Sequence, residues 1–342
     1  MKVVIDRYIS FIEGVIEPYA ETVYATPAQI TPELVSDADA LLVRTRTRVD
    51  ATLLGASRCR FVATATIGMD HFDLPWCEQN GITAVNAPGC NAPAVAQYVM
   101  ASVCRLFPDS LTGLTMAVVG VGNVGRLVEK WARGLGMNVM RVDPPRQEAE
   151  GGNDWHTLTD AARNADIITF HTPLTKAGAH PTFHLADKRF FESLRRKPIV
   201  INSSRGPVVD NAVWLQAITD GVTAANVIDV WEGEPLVDLT LMNRATISTP
   251  HIAGYSLDGK IRATQMVLDS FSNHFGLPRL KATGRAAVAV PQKVTVSNVL
   301  RSYNPYTDTE LMRNTLNRVN PNEIKETFER LRDFYELRAE IS

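Results

Sequence analysis

Arg205, Glu234 and His251 each stand in a polar segment that follows a short apolar run. Asn202-Ser203-Ser204-Arg205-Gly206-Pro207 follows residues 199–201, and Asp229-Val230-Trp231-Glu232-Gly233-Glu234-Pro235 follows 225–228. Thr249-Pro250-His251-Ile252-Ala253-Gly254 follows 246–248. If the apolar runs are parallel strands, these segments lie at strand ends, where open α/β sheets collect ligands. The chemistry such a set could perform is hydride removal from a hydroxy acid. A base must take the hydroxyl proton, and a cation must hold the carboxylate and the developing carbonyl. Histidine suits the base because it titrates near neutrality, and a neighbouring carboxylate orients its ring. Arginine suits the anchor, since its planar fork meets a carboxylate with two hydrogen bonds. Taken singly, each has a plainer explanation: a surface arginine, a loop glutamate, a structural histidine. That plainer reading is kept for His71, His156, His180, His184 and His274.

The partner chemistry lies upstream. Gly120-Val121-Gly122-Asn123-Val124-Gly125 follows the apolar run Thr115-Met116-Ala117-Val118-Val119 and precedes Leu127, Trp131 and Leu135 at helical spacing. A second β-rich run ends in Asp143, 18 residues after Gly125. Glycines alone are a weak signal, but strand, turn, helix and acid together make a dinucleotide fingerprint. Gly120 permits the tight turn, Gly122 admits the pyrophosphate, and Gly125 lets helix and strand pack. The helix N-terminus offers unpaired N–H groups to the phosphates. Asp143 is expected to accept from the adenosine ribose and to disfavour a 2′-phosphate, so NAD is expected rather than NADP.

The elements that must position these residues alternate between strand and helix. Runs at 3–6, 40–43, 60–63 and 82–85 make a first small α/β unit, and 94–106 reads as a buried helix leading out of it. Six runs then follow at 115–119, 138–142, 167–170, 199–201, 225–228 and 246–248, before a helical stretch over 256–275. His171-Thr172-Pro173 closes the third of these six runs. Beyond residue 278 there is a β-rich run, Lys293-Val294-Thr295-Val296, and a helix start at Asn320-Pro321-Asn322-Glu323. Ile324, Phe328, Leu331 and Tyr335 then recur at helical spacing. This tail is either a helix docked on its own domain or an oligomerisation element.

At 342 residues the chain is long enough for two or three domains, and 45% hydrophobic against 21% charged residues excludes disorder. A net charge of −2 with no basic stripe argues against a nucleic-acid partner. No apolar run approaches the roughly 20 residues of a membrane span. Met1-Lys2-Val3-Val4-Ile5-Asp6-Arg7 does not read as a signal peptide, and a cytoplasmic protein is expected. Cys59, Cys77, Cys90 and Cys104 have no ligand-like spacing, so no metal is expected.

In this order, the GVGNVG turn with Asp143 and the HTPLT, NSSRG, DVWEGEP and TPHIAG segments resemble the D-isomer-specific 2-hydroxyacid dehydrogenases. The likeness runs over about residues 1–280. It implies catalytic roles for Arg205, Glu234 and His251. It further implies an NAD site lined by Gly120, Gly122, Asn123, Val124, Gly125, Asp143, Thr172, Ser203, Ser204, Arg205, Asp229 and Gly254. The implied fold is α/β: a Rossmann-type NAD domain (93–256) inserted into a flavodoxin-like substrate domain (1–92 and 257–280), with the active site in the cleft. The stretches 251–260, 43–45 and 65–71 are similar to those of family members that act on a phosphorylated hydroxy acid. Such members carry a small α+β C-terminal dimerisation domain, here 281–342, and the resemblance implies a homodimer. It also implies that Thr45, Thr66 and Tyr255 contact substrate. Arg44, with Arg46 on the same side of an extended strand, would then balance the phosphate charge, and Arg48 is surface charge. The rival readings are a member acting on phosphoglycerate or glycerate, and a non-catalytic NAD-sensing scaffold.

Overall fold

The computed structural model describes residues 1–341. Its first compact unit comprises residues 1–91 and 256–288, and its second comprises 92–255 with the chain from 289 onward. The first holds five parallel strands: β1 (Lys2–Asp6), β2 (Glu21–Ala25), β3 (Ala40–Val43), β4 (Phe61–Thr64) and β5 (Thr83–Val85). They lie in the order β2-β1-β3-β4-β5. The sequence pattern anticipates all but β2. That strand pairs with β1 alone, so it is only part-buried and lacks the continuous apolar run of a central parallel strand. The helix Leu257–Phe275 starts at Ser256, whose hydroxyl accepts from the Gly259 amide at 2.9 Å. Its Val267, Leu268 and Phe271 pack with Ile5 and Phe61 on one face of this sheet.

The second unit holds six parallel strands: β6 (Thr115–Val119), β7 (Asn138–Val142), β8 (Ile167–Phe170), β9 (Ile199–Asn202), β10 (Ala225–Ile228) and β11 (Ile247–Ser248). Their order is β11-β10-β9-β8-β6-β7, and a single parallel bridge from Arg141 to Trp155 extends the β7 edge. Both faces are covered, so successive residues of one strand serve two cores. Met116 and Val118 pack with the helix Ala92–Leu106, while Ala117 and Val119 pack with Phe170, Trp214 and Val200 on the other side. The strand order reverses between β6 and β8, so ligand-binding loops are expected at the carboxyl ends of these two strands.

The tail departs from the α+β expectation. It forms the helices Val296–Ser302, Pro305–Leu316 and Ile324–Asp333, with no strand after Ser248 among the described residues. The β-branched run 293–296 fails as a strand because Thr295 closes a capping box. Its hydroxyl accepts from the Asn298 amide at 3.1 Å, and Asn298 Oδ1 accepts from the Thr295 amide at 2.8 Å. Nor is 281–342 a separate body, because residues 281–288 belong to the first unit and the rest to the second. Val294 and Val299 join one core of the six-stranded unit, and Met312, Leu316, Ile324 and Phe328 join the other. Among the described residues no helix is long and apolar enough to cross a membrane. All four cysteines are buried free thiols.

Candidate active site

The glycine turn follows β6. Gly120 has φ +87°, and a Cβ there would lie 2.7 Å from the His171 carbonyl carbon at the end of β8. A Cβ at Gly125 would meet the Gly120 carbonyl oxygen at 2.0 Å, whereas the space over Gly122 is open. No side chain caps the helix Asn123–Gly134, so its first amides are presented by backbone alone. Asp143, at the end of β7, accepts from the Val121 amide at 2.7 Å and the Arg146 amide at 3.1 Å. That pins the carboxylate to the turn. Two buried hydroxyls, Thr172 Oγ1 and Ser203 Oγ, have no partner. A backbone cradle with an open floor, a fixed acid and two unmatched hydroxyls fits a dinucleotide.

Beside the turn, burial pushes the His171 imidazole down to about 3. Its folded pKa lies below the ordinary value of 6.5, so between about pH 6.5 and 3 the unfolded chain binds the extra proton. This share of stability is therefore complete above pH 6.5 and is lost as the pH falls. His171→Gln should flatten the decline in Tm between pH 7 and 5. Parallel declines in the two proteins would sink this account.

The three polar residues come from three strand ends. Arg205 follows β9 and begins the turn Gly206–Val208. Its carbonyl accepts from Asn202 Nδ2 at 2.9 Å, and its Nη1 donates to the Ser204 carbonyl at 2.9 Å. Ser204 is itself fixed, its amide and hydroxyl both donating to Asn202 Oδ1. A Cβ at Gly206 would come within 2.1 Å of the Trp231 carbonyl, so only glycine lets the Arg205 turn pack on the loop after β10. That loop carries Glu234, whose Oε1 is 2.5 Å from His251 Nδ1 and whose Oε2 accepts from the Trp231 amide at 3.2 Å. Burial pushes the Glu234 carboxyl up, but the His251 charge and hydrogen bond, Arg332 and the Trp231 amide outweigh it and hold the group below its usual range. Glu234 is therefore a carboxylate throughout the neutral range. It fixes Nδ1 and leaves Nε2 as the ring nitrogen that could exchange a proton.

His251 follows β11 with φ +57°. Its amide donates to the Asp229 carbonyl at 2.7 Å. The Asp229 carboxylate accepts from the Ile252 and Ala253 amides at 2.8 and 3.0 Å and from Thr249 Oγ1 at 2.7 Å. Asp229, expected to line the cofactor site, is thus also the brace that holds the histidine segment. His184, read from sequence as structural, meets Glu232 at 2.8 Å and steadies the same loop two residues before Glu234. Tyr255 lies one residue past Gly254, its amide donating to the Ile252 carbonyl at 2.8 Å.

In the first unit, Arg44 follows β3, and its Nη1 approaches the Tyr8 carbonyl at 3.5 Å while its Nε is buried without a partner. Its charge acts on Asp6, the last residue of β1, whose carboxyl burial nevertheless pushes up. Thr45 follows Arg44 and is exposed. Thr66 Oγ1 lies 2.6 Å from Thr64 Oγ1 beyond the end of β4. Arg46 is exposed. Arg48 makes an exposed ion pair with Asp50 at 2.7 Å. Sequence reasoning missed Asp6, hidden at the end of an apolar run, and two tail arginines. Arg338 is part-buried and donates to the carbonyls of Ile252, Ala253 and Ala94. Arg332 hydrogen-bonds Tyr255. The tail carries no motif that would have revealed either.

Residues 94–253 match the family model of the D-isomer specific 2-hydroxyacid dehydrogenase NAD binding domain. The chain is 45% identical to the erythronate-4-phosphate dehydrogenase of Bacteroides thetaiotaomicron, over 99% of this chain and 97% of that one. It is 38% identical to that of Proteus mirabilis, over 100% and 93%. Among solved structures, it resembles D-lactate dehydrogenase from Aquifex aeolicus, complexed with NAD and lactic acid. The TM-score there is 0.67 at 22% identity, covering 80% of this chain and 96% of that one.

Proposed function

This chain belongs to the D-isomer specific 2-hydroxyacid dehydrogenase family, and from that premise we propose that it oxidises 4-phospho-D-erythronate to 2-oxo-3-hydroxy-4-phosphobutanoate with NAD, on the route to pyridoxal 5′-phosphate. The observation that carries the reading is the 2.5 Å pair of His251 Nδ1 and Glu234 Oε1 on the sheet that bears the glycine turn. Full-length likeness to erythronate-4-phosphate dehydrogenases supports the choice of substrate.

Catalysis falls to Arg205, Glu234 and His251. Arg205 holds the substrate carboxylate and draws charge onto the C2 oxygen. His251 takes the C2 hydroxyl proton at Nε2, and the Glu234 carboxylate stabilises the imidazolium that results. NAD, when bound, supplies the hydride acceptor. Gly120, Gly122, Asn123, Val124 and Gly125 hold its pyrophosphate through the turn and helix N-terminus, and Asp143 takes the ribose. Thr172, Ser203, Ser204, Arg205, Asp229 and Gly254 line the remainder. Arg44, Thr45, Thr66 and Tyr255 bind substrate, with Arg44 meeting the phosphate.

The strand orders support a Rossmann-type NAD domain and a flavodoxin-like substrate domain. The tail is assigned to a homodimer interface because Leu311 and Phe334 stand 54% and 82% exposed on it. Free, buried cysteines support a cytoplasmic setting.

The test is NADH formation with 4-phospho-D-erythronate, 3-phosphoglycerate and D-glycerate, each run with a 2-oxo acid as recycling acceptor. The expected result is the highest kcat/KM on phosphoerythronate, from a protein whose mass by light scattering is twice that of the chain. Turnover confined to the other two acids would retain the family chemistry and overturn the substrate.

A further inference from the structure

Arg332 sits on the inner side of the tail helix Ile324–Asp333, with its side chain 16% exposed. Its Nη1 donates to Glu329 Oε1 at 3.0 Å, and its guanidinium lies 5.9 Å from the centre of the Phe328 ring. It hydrogen-bonds the Tyr255 side chain, its charge acts on the Glu234 carboxylate, and its Nε is buried with no partner. Nearby, the Tyr335 ring packs edge-on against Tyr255 with centroids 6.0 Å apart, and Arg338 grips the Ile252 and Ala253 carbonyls. The tail therefore grips the run His251–Tyr255 through both backbone and side chain. Arg338 accounts for the backbone, and a fold needs no more than that. Arg332 does something different: it directs a part-buried cation at two side chains assigned to the reaction. Enclosing the Nε of an arginine with no partner is costly, and packing on Phe328 alone would not require a charge.

We propose that Arg332 is a positioning residue of the active site, holding the Tyr255 hydroxyl toward the substrate and adding positive charge beside Glu234. This rests on the assignment of Tyr255 to substrate and of Glu234 to His251. With its oxygen accepting from Arg332, the phenol turns its proton outward as a donor to an anionic substrate oxygen. The tail is then part of the machinery of the site as well as a cover for its core.

The test compares Arg332→Met, Arg332→Lys, Tyr255→Phe and the Met/Phe double variant. The readouts are kcat and KM for 4-phospho-D-erythronate, NADH affinity by fluorescence titration, and Tm. Loss of a charge-assisted bond should raise KM on the order of 10-fold in Arg332→Met, with NADH affinity within about twofold. Lysine should recover part of the loss. In the Tyr255→Phe background, Arg332→Met should add little, because its route to the substrate is already gone. The proposal is overturned if KM is unchanged in Arg332→Met, if the two losses multiply in the double variant, or if NADH affinity and Tm fall as KM rises. A KM raised by Tyr255→Phe but not by Arg332→Met removes Arg332 alone. An unchanged KM in Tyr255→Phe removes the substrate assignment on which the proposal stands.

Discussion

Replacing His251 with asparagine should lower kcat on 4-phospho-D-erythronate by about a thousandfold while leaving NADH affinity close to that of the parent protein. The hydroxyl proton must leave as hydride departs, and the group proposed to receive it is an imidazole whose Nδ1 is already committed to Glu234 at 2.5 Å. Asparagine keeps a polar side chain of similar reach but cannot carry the proton. Glu234→Gln should cost less, on the order of a hundredfold, because the ring stays in place and only the charge supporting the imidazolium is lost. The His251→Asn/Glu234→Gln double variant should be little worse than His251→Asn, since the carboxylate acts only through the ring. Single-turnover rates and NADH titrations on the three variants check this. If the double variant shows the product of the two losses, Glu234 works independently of His251 and the pair has been misread. The cofactor cradle proposed above is built from backbone at 120–125 and from Asp143, so none of these changes should loosen NADH.

The placement of these residues after strands was legible because of the physics of parallel sheets. A strand buried on both faces is apolar at nearly every position, so residues 116–119 and 199–201 stand out as runs, and the polar residues that follow them mark strand ends. Glu21–Ala25 has a neighbour on one side only and no such run, and it was invisible. The 293–296 segment misled for the opposite reason. Its β-branched residues favour a strand, yet reciprocal bonds between Thr295 and Asn298 decide the local structure. Arg332 and Arg338 look like the polar side of an amphipathic helix and its extension. Their carbonyl and phenol partners lie far upstream, with Arg338 and Ile252 86 residues apart and Arg338 and Ala94 244 apart. No local period reports a contact of that range. Asp6 was lost because it ends a run that is otherwise wholly apolar.

Arg205→Gln is expected to reduce kcat/KM by roughly a hundred- to a thousandfold, and Arg205→Lys to recover little of it. The position is unusually well fixed for an arginine after a strand. Asn202 holds the Arg205 carbonyl at 2.9 Å, Ser204 accepts its Nη1 at 2.9 Å, and Gly206 anchors the turn against Trp231. Such support places a planar fork at one angle, which a lysine ammonium on a flexible stem cannot reproduce. The loss should fall on both kcat and KM, because in the proposed mechanism the same guanidinium holds the carboxylate in the ground state and the C2 oxygen as charge develops on it. Arg44→Gln offers the contrast. It should weaken phosphoerythronate far more than D-glycerate, whereas Arg205→Gln should penalise both acids by similar factors. A selective loss in Arg205→Gln would mean that this arginine reads the phosphate, and the group that polarises the reacting oxygen would have to be sought elsewhere among the strand ends.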